Sequence, residues 1–185
     1  MEAFLISTGV VAVAEIGDKT QLLALVLATR HRRPLPIIAG ILAATLANHA
    51  LAGAIGVWLA QVAGSATMQI VVGLAFIAMA VWSLVPDSEP AQRGGRAHYS
   101  VFLTTLVAFF LVEIGDKTQV ATVALAAHFD ALAAVIVGTT FGMLIANVPV
   151  VLAADVIRKR LPMTMIRAAC ALMFLALGAY ALLVP

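Results

Sequence analysis

Charge is scarce in this chain. Only 11% of its 185 residues are Asp, Glu, Lys or Arg, against about 25% in an average soluble domain. That is too little polar surface to clothe a soluble core. Cysteine is scarcer still. The single Cys170 lies in an apolar run, which points to neither a disulfide nor a thiolate metal site and leaves packing as its role. Aromatic residues make up 6%. No nucleic-acid-binding module is present, so the formal charge of +2 and the pI near 9.0 call for no nucleic-acid partner. The N-terminus has no basic leader, carries Glu2, and runs on through three charges, so it does not read as a cleaved signal peptide and the whole chain reads as mature protein.

Apolar residues are abundant: 63% of the chain is hydrophobic and the mean hydropathy is +1.09. A membrane-spanning helix needs roughly 20 mostly apolar residues. Six stretches qualify, at about 3–29, 35–61, 66–86, 99–127, 131–157 and 163–184. Polar or turn-forming joints separate them: RHRRPLP at 30–36, AGSAT at 63–67, PDSEPAQRGGRAH at 86–98, HFD at 128–130 and RKRLP at 158–162. The long Ala- and Leu-rich runs lack the short alternation of a membrane barrel. The expected fold is therefore an all-α integral membrane protein of six transmembrane helices in a lipid bilayer. Trp58, Trp82, Tyr99 and Tyr180 fall near predicted helix ends, as an interfacial belt requires.

The basic residues orient this path. Arg30, Arg32, Arg33, Arg93, Arg96, Arg158, Lys159, Arg160 and Arg167 all belong to one side of it. The positive-inside rule makes that side cytoplasmic and puts both termini outside. The remaining two, Lys19 and Lys117, stand in apolar surroundings, in AEIGDKTQ at 14–21 and VEIGDKTQ at 112–119. Glu15 and Glu113 are 98 positions apart, as are Gly40 and Gly138, while Asn48 and Asn147 are 99 apart. The chain thus reads as two copies of a three-helix unit, 1–85 and 99–185, joined by a cytoplasmic linker at 86–98. Three is odd, so the second copy enters the bilayer from the opposite side. Inverted repeats of this kind are a transporter architecture, with the site near the midplane where the repeats meet.

Ionisable groups at membrane depth are expensive and default to a functional reading. At 100° per residue, Glu15, Asp18 and Lys19 share about 100° of arc on a continuous helix, as do Glu113, Asp116 and Lys117. Four carboxylates and two ammonium groups sum to −2, which one divalent cation cancels. Glu15, Asp18, Glu113 and Asp116 are the candidate metal ligands. Lys19 and Lys117 are expected to pair with these acids or orient them. Thr20, Thr118, Gln21 and Gln119 add oxygen donors, and Asn48 and Asn147 stand by to add amide oxygen. Such oxygen-rich sets suit Mn²⁺, Ca²⁺ or Mg²⁺, and the lack of Cys and His in either motif argues against Zn²⁺ and Cu. Gly17 and Gly115 could loosen the helix and free a carbonyl, or serve close helix packing.

Carboxyl groups drawn out of water also bind protons more readily, so one cluster could hold metal and protons in turn. The metal is then cargo, and no resident cofactor is implied. His49 adjoins Asn48 but has no counterpart, since Val148 follows Asn147; it is a candidate proton relay. Pro149 could kink its helix. Asp155 reads as an interfacial ion-pair residue beside RKR, and His128 and Asp130 read as loop residues. Other readings are a structural ion-pair cluster, a small-solute exporter, a non-transporting subunit and an intramembrane aspartyl protease using Asp18 and Asp116. The last is disfavoured because Glu15 and Glu113 stand where a GxGD sequence has its first glycine. The sequence sets no oligomeric state.

The sequence EIGDKT at 15–20 and again at 113–118 resembles the doubled E-x-G-D-K-[T/S] motif of the Gdt-type cation/proton exchangers. That family includes MneA-like and Mnx-like manganese transporters and Golgi proteins of yeast and animals. The resemblance covers essentially the whole chain. It implies a secondary transporter, not an enzyme, that exchanges Mn²⁺ or Ca²⁺ for protons, exports the metal from the cytoplasm, and relies on Glu15, Asp18, Glu113 and Asp116, with Lys19, Lys117, Thr20 and Thr118 in support. The chain lacks the long central loop of some eukaryotic members, and its short length points to a prokaryotic inner membrane.

Overall fold

The computed structural model describes residues 1–63, 65–84, 100–154 and 163–183. Among these the protein is all-helical, with eight helices: α1 (Glu2–Glu15), α2 (Lys19–His31), α3 (Pro34–Ala63), α4 (Ser65–Ser83), α5 (Val101–Glu113), α6 (Lys117–His128), α7 (Leu132–Leu152) and α8 (Met163–Leu183). Two expected spans are not continuous. The first is broken between Glu15 and Lys19, and the fourth between Glu113 and Lys117. The shared helical face expected for Glu15, Asp18 and Lys19, and for Glu113, Asp116 and Lys117, therefore does not exist. Each acid–base set straddles a break, because both glycines take positive φ, which an α-helix cannot accommodate.

Elsewhere the boundaries follow local chemistry. Arg32 closes α2 in the left-handed conformation (φ 52°), its amide on the Ala28 carbonyl. Pro34 then opens α3, where a missing N–H costs nothing. Ser100 caps α5 by accepting from the Leu103 amide. Helix α7 continues through Pro149 to Leu152. His128 ends α6, and Asp130 lies in the joint that follows.

The halves interlock. Helix α1 packs on α7, α5 on α3, α4 on α8, and α3 meets α7 between them. Glycines set the closest approaches. A Cβ added at Gly138 would lie 2.6 Å from the Phe4 carbonyl oxygen and 3.0 Å from the Ser7 Cβ; one at Gly40 would lie 2.9 Å from the Phe102 oxygen and 2.7 Å from the Thr105 Cβ. Phe4 and Phe102, Ser7 and Thr105, and Gly40 and Gly138 are each 98 positions apart. The register of the sequence repeat is thus also the register of packing. Val11, Ile37, Ile41, Phe109 and Met143 fill the core beside these contacts, and Phe76 stacks on Phe174 between α4 and α8.

Polarity is distributed inside out. Leu46, Leu51 and Ile55 of α3 and Val137, Phe141 and Ile145 of α7 face outward, whereas Glu15, Asp18, Glu113, Asp116, Asn48, His49 and Asn147 are buried. Helices α3 and α7 are long and apolar enough to cross a membrane. Trp58 and Tyr180 lie at the surface. The linker at 86–98, Tyr99, Asp155 and Arg158–Arg160 lie outside the described residues, as do the side chains of Trp82, Arg167 and Cys170.

The glycine contacts give a test. Gly138→Val should force α1 off α7 and lower the thermal unfolding midpoint in detergent, a loss of about 1–3 kcal/mol. Gly9→Ala, where an added Cβ meets nothing within 4 Å, should leave the midpoint unchanged or raise it.

Candidate functional site

The site begins as a turn made twice. Glu15 closes α1; Ile16 is extended (φ −63°, ψ 117°); Gly17 has φ 80°; and the Asp18 amide donates to the Glu15 carbonyl at 3.1 Å. In the second copy Ile114 has φ −61° and ψ 123°, Gly115 has φ 75°, and the Asp116 amide donates to the Glu113 carbonyl at 3.1 Å. These are the angles of a type II turn, whose third residue requires positive φ and hence favours glycine. Asp18 and Asp116 then stand as N-caps of α2 and α6, and Asp18 accepts from the Lys19 amide at 2.7 Å.

The rest of each octet holds its turn. The Gly17 amide donates to Gln21 Oε1 at 2.7 Å and the Gly115 amide to Gln119 Oε1 at 2.8 Å. Gln21 Nε2 also donates to the Ala146 carbonyl at 2.8 Å, tying α2 to α7. The Thr20 hydroxyl donates to Glu15 and the Thr118 hydroxyl to Glu113. Gln21 and Gln119 are expected as oxygen donors to a cation, and each of those oxygens here accepts from a glycine amide. The signal for the break was present in each Gly-Asp pair, a left-handed glycine followed by a preferred N-cap residue.

The two turns meet through crossed ion pairs. Lys19 Nζ lies 2.9 Å from Asp116 Oδ1, and Lys117 Nζ lies 3.0 Å from Asp18 Oδ2. Glu15, Glu113 and Asp116 each offer a carboxylate oxygen to one buried group in which these atoms all lie within 4.8 Å of one another. Asp18 is outside that group, held instead by Lys117 and the Lys19 amide. The halves differ in exposure: the Lys19 side chain is 23% exposed and that of Lys117 8%, while Gly115 is at the surface and Gly17 is buried.

Helices α3 and α7 complete the walls. Asn147 Nδ2 donates to the Met143 carbonyl at 3.1 Å and stands 3.5 Å from Glu15 Oε2. Asn48 Nδ2 donates to the Phe110 carbonyl at 3.1 Å. Oε1 of Glu15, Oε2 of Glu113 and Oδ1 of both asparagines are buried and accept no hydrogen bond. Buried acceptors without a donor are costly and rare, and carboxylate and amide oxygens are the donor set that hard divalent cations take. His49 adds a neighbour the octets do not announce. It is fully buried, with Nε2 3.8 Å from Glu113 Oε1.

The sequence family described as "Divalent cation/proton antiporter GDT1" matches residues 3–91 and 101–184. A protein of Vibrio cholerae serotype O1 named "Putative manganese exporter" is 48% identical over 179 residues, covering 96% of this chain and 89% of its own length. GDT1-like protein 4 and GDT1-like protein 3 of rice (Oryza sativa subsp. indica) are 28% and 27% identical over 170 and 168 residues; the match covers 76% of this chain and 59% of each of them. No solved structure matches.

The turn reading predicts a specific hierarchy at Gly115, where an added Cβ would meet nothing within 4 Å. Gly115→Ala should cost about 1–2 kcal/mol from the left-handed backbone alone. Gly115→Asn, which visits that region more readily, should cost less. Thermal unfolding of the purified variants reads the order.

Proposed function

Because this chain belongs to the family of divalent cation/proton antiporters named GDT1, a family of transporters rather than enzymes, we propose that it exchanges Mn²⁺ for protons across a bacterial inner membrane and exports the metal from the cytoplasm. The observation that carries this is the convergence of Glu15, Glu113 and Asp116 from two separate motifs into one buried group. These three acids are the central ligands of the transported ion. Asp18 acts in the same cluster by holding Lys117, and the Asn48 and Asn147 amide oxygens complete the oxygen set.

The exchange follows from shared occupancy. The carboxylates hold either a divalent cation or protons, so loading one releases the other. Lys19 serves as an internal cation on Asp116 and moves aside when Mn²⁺ enters. The C-terminal ends of α1 and α5 close at Glu15 and Glu113, which puts the negative ends of two half-helices beside the cation. Residues 1–85 and 99–185 act as inverted three-helix repeats around the 86–98 linker, in six spans with both termini outside the cytoplasm. The paired contacts at a 98-residue offset support that relation. Rocking of one repeat against the other then exposes the site to each side in turn.

Ca²⁺ is the competing cargo, since it too takes oxygen ligands. Purified protein in liposomes with an imposed pH gradient should take up Mn²⁺. Uptake should fall by about tenfold or more in Glu113→Gln and in Asp116→Asn, the scale of damage typical around a metal site. Gradient-driven Ca²⁺ uptake exceeding that of Mn²⁺ would reverse the cargo assignment. Absence of both fluxes in folded wild-type protein would overturn the exchange reading.

A further inference from the structure

From Glu to Gln the two motifs match residue for residue, whereas His49 has no counterpart. Its position one residue after Asn48 corresponds to Val148 after Asn147. Its side chain is fully buried, and neither ring nitrogen has a hydrogen-bond partner. Buried imidazole nitrogens are normally satisfied. The 3.8 Å between Nε2 and Glu113 Oε1 is beyond hydrogen-bond reach. It is short enough for two lone pairs to meet one metal ion at ligand lengths of about 2.0–2.6 Å. Around Glu15 the neighbouring α7 side chain is the Asn147 amide; around Glu113, Asn48 turns to the Phe110 carbonyl, and α3 brings the imidazole instead.

We infer that His49 donates a nitrogen to the transported cation and so makes the site prefer Mn²⁺ to Ca²⁺ and Mg²⁺. Carboxylates and amide oxygens alone serve all three ions. Ca²⁺ and Mg²⁺ are bound by oxygen, whereas imidazole is a ligand of first-row transition metals. One nitrogen beside the Glu113 carboxylate raises affinity for the transition ion with little gain for the alkaline-earth ions. The asymmetry of the repeat thereby becomes a selectivity device: shared acids bind any divalent cation, and a single residue in one half chooses among them.

This inference rests on the exchange reading, and one pair of measurements separates the two. Electron spin echo modulation of Mn²⁺ bound to the purified wild-type protein should show a directly bound imidazole ¹⁴N. In liposomes, His49→Gln and His49→Val should lower the ratio of Mn²⁺ to Ca²⁺ flux by about tenfold, the usual scale for altering a metal's surroundings. Size-exclusion profiles and thermal unfolding midpoints of both variants, matched to wild type, distinguish a lost ratio from lost folding. Bound Mn²⁺ without a nitrogen signal, or an unchanged ratio in both folded variants, would overturn the role of His49 and leave exchange standing. Failure of the wild type to bind Mn²⁺ would remove both.

Discussion

A charge taken out of water must find a partner, and in this protein ion pairs cross between the two octets. Asp18 and Lys19, like Asp116 and Lys117, are consecutive, each aspartate standing as N-cap of the helix that its lysine begins. Each lysine instead reaches the other half's aspartate, at 2.9 and 3.0 Å. The interlocked packing around them serves this constraint: the glycine contacts of α1 with α7 and of α5 with α3 bring the two breaks within ion-pair distance. Removing one partner of a buried pair leaves an uncompensated charge, which is far costlier than the pair itself is valuable. The crossed pairs therefore act first as a specification of which halves meet and in what register.

The broken helices convert that register into a binding surface. A continuous helix would spend its backbone groups on itself. The type II turns end α1 and α5 at a glutamate and start α2 and α6 at an aspartate, so oxygen donors gather at the ends of half-helices. Glutamine on glycine amide and threonine on glutamate fix the turn and its acid by hydrogen bonds within five residues. Irregular backbone inside a membrane protein is tolerated where protein groups satisfy it, and these side chains do so from within the same eight residues.

Much of this was legible in the sequence. The helical class, the repeated octets, the 98-residue register and the meeting of Lys with Asp all follow from composition and spacing. The helix break is not encoded in the spacing of Glu15, Asp18 and Lys19, which fits one face of an unbroken helix, although Gly-Asp is itself a turn-and-cap signal. The crossed choice of partners, and the exclusion of Asp18 from the three-acid group, depend on side-chain directions that spacing does not encode. His49 reads in the sequence as a departure from the repeat and a candidate proton relay. Its closeness to Glu113 arises from how α3 rotates against α5, a tertiary fact.

The two turns are chemically alike, yet the structure treats them unequally: Gly17 and Gln21 are buried, while Gly115 lies at the surface and Gln119 is half-buried. Equal sequences in unequal settings define a pair of alternatives. Under the proposed two-fold relation, exchanging the settings of positions 98 apart describes a second conformer, with the first turn at the surface and the second enclosed. His49 has no equivalent with which to exchange, so that conformer is not a copy of this one. Under the proposed exchange, the two end states would therefore differ in the coordination they offer the cation.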